Sequence, residues 1–383
     1  MEKLLPDICR IQYGFAFDSA KFSDSVGTPL IRIRDVVRGY SETYTTEQCG
    51  DEYVVQDGDM LIGMDGEFNI AHWKGGKAYL NQRVCRLIPT DKINSLYLFY
   101  FMPQALKAIE DKTPFVTVKH LSAKELNKVS VPIPSMAEQE KIATSLQKVD
   151  ELISLRKQQL QKLDELVKAR FVELFGDPID NPKGLPVKTL KELSTLITNG
   201  NTPKGGSENY VDNGILFLRS QNIWRSRIEL DDVAYIDEAT HRSLKKSSLK
   251  HKDILITKTG RINTENSSLG RAALYLGADD SANINGHVYL VRLDGSVVPE
   301  YVVTILTSEA YRKYIRKVCV GGIDKRQINL DQVEDFPIIL PSVEMQEQFA
   351  AFVKQTDKSK LAIQQSLDKM ELLKKALMQK YFA

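Results

Sequence analysis

Residues 131–143 read VPIPSMAEQEKIA, and residues 338–350 read IILPSVEMQEQFA. Set side by side without a gap, they share a Pro-Ser step, Pro134-Ser135 against Pro341-Ser342. They also share a Gln-Glu pair, Gln139-Glu140 against Gln346-Glu347. The offset between them is 207 residues. Each phrase stands just before a long polar stretch, where a proline can stop a strand and a serine can cap a helix. Glu138 completes a capping box in the first copy, whereas the second has Met345 at that position.

Four further matches precede this one in the same order. GTPLIRIRDV (27–36) pairs with GILFLRSQNI (214–223), and DMLIGMDGEFN (59–69) with DILITKTGRIN (253–263). LNQRV (80–84) pairs with INGHV (284–288), and LYLFYFM (96–102) with EYVVTIL (300–306). The offset only grows along the chain, the signature of a duplicated domain whose second copy carries loop insertions. Within each copy, DMLIGM, RVCRLI and DILITK read as strands. NSLYLFYFMPQALKAIE and its mate PEYVVTILTSEAYRKYIRK each read as a helix. Each copy is therefore expected to hold a mixed α/β (α+β) globule.

The stretch after each globule differs in kind. From Glu138 to Leu174 there is no proline or glycine, and a seam runs through Ile142, Leu146, Val149, Ile153, Leu160, Leu163, Val167 and Leu174. Arg156 and Arg170 fill the two remaining slots. The four-three spacing over about five heptads predicts a helix ~55 Å long. In the second copy the seam is Phe349, Val353, Thr356, Lys360, Ile363, Leu367, Met370, Lys374, Leu377 and Tyr381. Its polar exceptions fall elsewhere: Ile153 aligns with Lys360, and Val167 with Lys374. The two helices are thus expected to pair within one chain, antiparallel, in a pseudo-twofold arrangement. The expected layout is a globule at 1–134, a long helix at 135–176, a linker and second globule at 177–341, and a second long helix at 342–383.

The bulk composition excludes several classes. The formal net charge is +2, so any polyanion-binding surface must be local. Residues 242–271 hold eight Lys/Arg and two acids. The longest apolar runs, such as YLFYFM, fall far short of the ~20 residues of a membrane span. Four scattered cysteines (Cys9, Cys49, Cys85, Cys319) without a C-x-x-C pair argue against zinc and disulfides. A cytoplasmic location is expected. No phosphate loop, zinc helix, nucleophile elbow or dinucleotide fingerprint is present, so catalysis by this chain is not expected.

Both globules carry polar, turn-rich loops. The first offers Arg34, Asn69, His72, Trp73, Lys74, Lys77, Gln82, Arg83 and Lys119 as DNA-binding candidates. The second offers Lys204, Arg219, Asn222, Lys258, Thr259, Arg261, Asn263, Arg271, His287, Lys325 and Arg326. Arg, Lys, Asn and Gln can bond base edges in the major groove, and Lys and Thr can bond phosphates. The alternative for Trp73 is a core aromatic. For the chain as a whole, the alternative is a coiled-coil adaptor whose globules bind protein.

The alternation of globule and long helix resembles the specificity (S) subunit of type I DNA restriction-modification enzymes. YGFAFDSAKF (13–22) is similar to the opening of that family's target recognition domains. NGNTPKGGSENYVDNGILFLRSQNI (199–223) resembles their Gly-x-Thr-Pro start, and IPSMAEQEKI and LPSVEMQEQF resemble the step that follows each domain. The first globule departs from the Thr-Pro form, with Gly-Phe-Ala-Phe at 14–17. The resemblance covers essentially the whole chain. It implies that each globule reads one half of a bipartite, asymmetric site in double-stranded DNA. It also implies that the helices space the halves and dock two methyltransferase subunits, with restriction subunits as further partners. S-adenosylmethionine would belong to the methyltransferase, and ATP and Mg to the restriction subunit, leaving no cofactor in this chain. The recurring Gln-Glu phrase would serve the catalytic partner, and the unmatched loops would choose the DNA sequence.

Overall fold

The computed structural model describes residues 1–113 and 119–382. The chain divides into two compact units, Met1–Gln158 with Gln364–Ala383 and Gln159–Ile363. Each holds one globule and a part of each long helix.

The duplication extends to strand order. In unit one a four-stranded antiparallel sheet runs Cys9–Tyr13, Val84–Pro89, Met60–Gly63, Asn69–His72. In unit two the order is Ser194–Asn199, Val288–Leu293, Ile254–Thr257, Ala272–Leu274, again antiparallel. A parallel pair accompanies each: Thr28–Ile31 with Ala78–Leu80, and Ile215–Leu218 with Ala282–Ile284. A short antiparallel pair closes each globule, Glu2–Leu4 with Ser130–Pro132 and Val187–Thr189 with Pro337–Ile339.

Single hydrogen bonds repeat as well. The Tyr97 hydroxyl donates to the Pro132 carbonyl at 3.0 Å, and its counterpart Tyr301 donates to the Ile339 carbonyl at 3.0 Å. Burial pushes the Tyr97 hydroxyl up to about 12. Gly14 N–H and Gly200 N–H each donate at 3.1 Å, to the Val84 and Val288 carbonyls. A Cβ on Gly14 would meet the Asn81 carbonyl oxygen at 2.1 Å, and one on Gly200 the Ile284 oxygen at 2.0 Å. Neither position can carry a side chain without displacing the neighbouring strand.

The helix that follows each sheet differs between copies. Ser95–Lys112 is one helix with Pro103 inside it. Its counterpart is broken in two, Pro299–Thr307 and Glu309–Val318, rather than the single helix expected. Ser308 takes an extended conformation there and caps the second piece, its Oγ accepting from the Tyr311 N–H at 3.2 Å. A residue that satisfies an orphan N–H in this way starts a new helix.

The long helices span Met136–Phe175 and Val343–Phe382. The heptad seam marks their shielded side. None of its positions on either helix is exposed, while the residues between are mostly open. Charge sets the pairing. In unit one Lys374 meets Asp150 at 2.7 Å and Lys157 meets Glu371 at 3.1 Å, so one helix rises as the other falls. In unit two Lys360 meets Asp164 at 2.7 Å. The two lysines that interrupt the second seam thus each find an aspartate on the first helix. A polar group in such a seam fixes register at some cost in stability. At the globule ends the seam enters the cores. Ile142, Leu146 and Leu377 join Tyr97 and Phe382 in unit one. In unit two Val167, Phe171 and Phe175 join Tyr301, Phe349 and Val353.

The PS–QE phrase is resolved residue by residue. Ser135 Oγ accepts from the Glu138 N–H at 3.3 Å, while Glu138 accepts from the Ser135 N–H at 3.0 Å, closing the capping box. The Ser135 hydroxyl, donating to Glu138 Oε2 at 2.8 Å, and then the Ser135 N–H hold the Glu138 carboxyl below its ordinary value. In the second copy only Ser342 acts, accepting from the Met345 N–H at 3.4 Å. The glutamines are turned inward. Gln139 donates to the Pro134 carbonyl at 3.0 Å and accepts from the Asn94 N–H at 2.8 Å. Gln346 donates to the Pro341 carbonyl at 3.0 Å and accepts from the Val298 N–H at 3.0 Å. Both are 1 % exposed. Each fastens the start of a long helix to the start of the preceding helix in its globule, so this glutamine belongs to the fold and is closed to a partner.

Candidate nucleic-acid interface

In unit two the longest of the insertions that lengthen the repeat lies between the strands Ile254–Thr257 and Ala272–Leu274. It opens with the short strand Thr259–Arg261, which pairs antiparallel with Lys325–Gln327 in the order Thr259↔Gln327, Gly260↔Arg326, Arg261↔Lys325. Lys325–Gln327 also pairs with Val320–Gly321, completing a hairpin with Ile323, 90 % exposed, at its tip. Arg261, Lys325 and Arg326, far apart in sequence, come together on this ribbon. Lys258 precedes it and receives a backbone bond from Ile328 at 2.9 Å, while its own N–H donates to the His287 carbonyl at 2.8 Å.

The electrostatics of this ribbon are unfavourable for the protein alone. Arg261 and Lys325 face each other across strands, an arrangement that costs stability. Asp324 approaches Arg261 at 3.4 Å, on exposed side chains that gain little from the contact. Nearby, Arg225 and Arg312 both donate to the Glu265 carbonyl, at 3.4 and 2.6 Å. Arg271 donates to the Ser267 and Asn266 carbonyls and stacks on Trp224, its guanidinium carbon 3.9 Å from the ring centre. Burial, and then the cation Arg312, pushes the Arg225 guanidinium below its ordinary value. Three arginines thus hold the loop by its carbonyls, which neutralise no charge, and of the three Arg312 also lies 3.6 Å from Glu309. An anion running past this surface would be attracted.

Unit one presents a smaller polar cluster. His120 donates from Nδ1 to Asp65 Oδ1 at 2.5 Å, Arg83 donates to His120 Nε2 at 3.2 Å, and Arg83 Nε lies 3.7 Å from Asp65 Oδ2. Lys119 beside it pairs with Glu110 at 3.3 Å.

Several residues singled out from sequence have structural employment instead. Trp73 is 1 % exposed and donates to the Gly76 carbonyl at 2.7 Å, so the core reading holds for it and no base can reach it. His72 bonds the Gly58 carbonyl at 2.9 Å and packs on Phe99. Asn222, 2 % exposed, accepts from the Arg219 N–H at 2.9 Å and donates to the Glu229 and Asp232 carbonyls. It copies Asp35, which accepts from the Arg32 N–H at 2.9 Å. Arg271 braces the loop from within. Arg219 is tied to Asp232, and Arg34 bonds Thr43. Lys74, Lys77, Gln82, Lys204 and Asn263 are exposed, and Asn69 is half-buried.

Asp65, His120, Gln327, Arg225 and Arg312 escaped the sequence reading. The repeat itself pointed to two of them, because Asp65 aligns with Thr259 and His120 with Gln327. Among the described residues no three His, Cys, Asp or Glu side chains are grouped to hold a metal. The Cys9 and Cys85 thiols are pushed up by burial to about 11 and about 12, far from a reactive thiolate. Among the described residues no helix is long and apolar enough to cross a membrane.

The sequence matches the family described as "Type I restriction modification DNA specificity domain" over residues 1–165 and 182–372. It is 28 % identical over 385 residues to the EcoBI specificity subunit of Escherichia coli, covering 92 % of this chain and 78 % of that one. It is 23 % identical over 376 residues to the MjaVIII specificity subunit of Methanocaldococcus jannaschii, covering 91 % and 87 %. Among solved structures, the type I restriction-modification S subunit from M. genitalium superimposes over all of this chain and 96 % of its own, with a TM-score of 0.62 at 13 % identity. A chain from a structure described as the structural basis of complex assembly and conformational transition of the type I R-M system superimposes over all of this chain and 97 % of its own, with a TM-score of 0.57 at 16 % identity.

Proposed function

The chain belongs to the type I restriction-modification DNA specificity family, and from that premise we propose that its two globules each read one half of a bipartite, asymmetric DNA site. As a DNA specificity subunit it is the non-catalytic component of a restriction-modification system. The observation that carries the finer reading is the pairing of a duplicated framework with unlike surface chemistry. The same sheet order and the same internal hydrogen bonds recur in both units, while the exposed loops differ in charge and length. Two copies of one DNA-reading scaffold with different loops would read two different half-sites.

In unit two, Lys258, Thr259, Arg261, Asn263, His287, Lys325 and Arg326 form the reading surface. In unit one, Asn69, Lys74, Lys77, Gln82, Arg83 and Lys119 contribute. Cations on the hairpin hold phosphates and set orientation, while loop side chains probe base edges. A helical spacer of ~55 Å covers at most ~16 base pairs, so the two halves are separated by roughly one helical turn of unread DNA.

The helices carry the second half of the proposal. Their outward side holds exposed leucines, among them Leu155, Leu166, Leu361 and Leu372, which are 53, 48, 62 and 68 % exposed. Isolated exposed apolar residues are ordinary, but repeated ones along a helix suit a partner. In unit two a groove of about 1440 Å³ runs beside the second helix, lined by Val303, Leu274, Val353 and Leu361. These surfaces dock two adenine methyltransferase subunits. Those subunits bring S-adenosylmethionine and extrude the target base, and restriction subunits join with ATP and Mg.

The test is co-expression with the methyltransferase of its system, followed by sequencing that detects methylated adenine. One bipartite motif with a fixed unread gap is expected. A continuous or palindromic motif, or no methylation by a well-assembled complex, would overturn the reading.

A further inference from the structure

Both units build the same small backbone cradle and furnish it differently. In unit one Met64 N–H donates to the Arg83 carbonyl at 3.0 Å, Leu121 N–H to the Met64 carbonyl at 2.7 Å, and Gly66 N–H to the Lys119 carbonyl at 2.9 Å. In unit two Lys258 N–H donates to the His287 carbonyl at 2.8 Å, and Ile328 N–H to the Lys258 carbonyl at 2.9 Å. Gly260 stands opposite Arg326, as Gly66 does opposite Lys119. An isolated bridge joins Asp65 to His120 where unit two pairs Thr259 with Gln327. Every backbone station of one cradle has its counterpart in the other.

The side chains at those stations do not match. Unit one places Asp65, Arg83 and His120 where unit two places Thr259, His287 and Gln327. Glu67 stands where Arg261 does. Of these side chains, Gln327 donates to the helix-capping Asn329 at 3.0 Å. In unit one they are 23, 50 and 46 % exposed and bond chiefly to one another. Holding three partly exposed polar side chains together costs conformational entropy without burying apolar surface, which is understandable if a ligand uses the arrangement.

Resting on the DNA-reading function proposed above, we infer that Asp65, Arg83 and His120 in unit one, and Thr259, His287 and Gln327 in unit two, are the stations that set which bases each half-site requires. The chemistry makes the assignment specific. The Asp65 carboxylate has acceptor capacity left after its bonds to His120 and Arg83. A carboxylate acceptor beside a guanidinium donor complements the major-groove edge of a C·G pair, where the cytosine amino group lies beside guanine O6 and N7. In unit two the Asp324 carboxylate lies on Arg261, at 3.4 Å. That cradle offers an amide, a hydroxyl and cations instead, a set suited to purine N7 and its neighbouring group. Unit one should therefore read both bases of a C·G pair at its station, and unit two only the purine.

The experiment uses the full chain co-expressed with its methyltransferase, read by methylated-adenine sequencing. Wild-type protein must first give a bipartite motif; if it does not, the DNA-reading function itself fails and the cradle is not at issue. With that motif in hand, the triple variant D65T/R83H/H120Q should change one half of the motif and leave the other half and the gap intact. The single variant Asp65→Asn keeps the size of the side chain and guards against misfolding. It should lower discrimination at one base pair by about tenfold to a hundredfold. The reciprocal T259D/H287R/Q327H should alter only the other half. A motif unchanged in both Asp65→Asn and the triple variant, with methylation retained, would overturn the inference. So would equal weakening at every sequence in Asp65→Asn, since that marks a phosphate or structural role.

Discussion

The two heads share an ion pair, and its two settings show how duplication diverges. In unit one Arg86 meets Asp59 at 2.9 Å, and in unit two Arg292 meets Asp253 at 2.7 Å. Both tie neighbouring strands of the four-stranded sheet at corresponding places. Asp59 keeps 27 % of its side chain exposed, while Asp253 keeps 2 %. The hydrogen bond to Asp253 raises the Arg292 guanidinium above its ordinary value. One framework thus holds the same pair with its carboxylate either partly in water or sealed away.

That contrast can be broken first at the ion pair itself. Arg292→Met strands a buried carboxylate and is expected to cost about 3–5 kcal/mol. Arg86→Met leaves Asp59 partly in water and should cost about 1–3 kcal/mol, mostly through its other hydrogen bonds. Amide hydrogen exchange within each sheet measures the two separately. Equal losses would mean that burial does not distinguish the pairs.

A second test asks where the copies remain equivalent. Gln139→Leu and Gln346→Leu each abandon a buried backbone N–H, of Asn94 and Val298, and should cost about 1–3 kcal/mol apiece. Exchange of those two amides should accelerate to a similar degree. A large disparity would show that the staple matters in one copy only.

The smallest effect concerns the helix starts. Ser135→Ala should destabilise the first long helix by about 1 kcal/mol, and Ser342→Ala the second by less, because its box is half-made. Acid should separate them too. The folded-state value of Glu138 is depressed, so its contribution is present above the ordinary carboxylate value of 4.5 and is lost as pH falls below it. The first helix start should fray under acid before the second. Thermal melts of the two alanine variants, with amide exchange at residues 136–139 and 343–346 across that range, supply the comparison. Simultaneous fraying would remove the box from the account.

Much of this was legible without coordinates, for reasons that differ by feature. The heptad seam was readable because side-chain burial on a helix follows a fixed period. Its positions are shielded even where the residue is Lys360, Lys374 or Arg156. The strands around Met60 and Ile254 were readable from short apolar runs. The helix break at Ser308 was not, since the cap competes with propagation by a fraction of a helical turn's energy. The burial of Trp73, Asn222 and Arg271 was not either, because polar and aromatic residues serve cores and surfaces alike. Asp65 and His120 lie more than fifty residues apart, and only strand pairing joins them.

Order along the chain was enough to establish the duplication, the two long helices that follow two globules, and the seams those helices carry. Periodicity and repetition are properties of order along a chain, and order is what a sequence records. Tertiary structure alone decided which polar residues are spent inside and which remain available. It turned Gln139 and Gln346 inward, set Arg261 beside Lys325, and built one cradle twice around unlike side chains. Those outcomes depend on which distant strands pair and on what lies over them, and neither is written in any local stretch of residues.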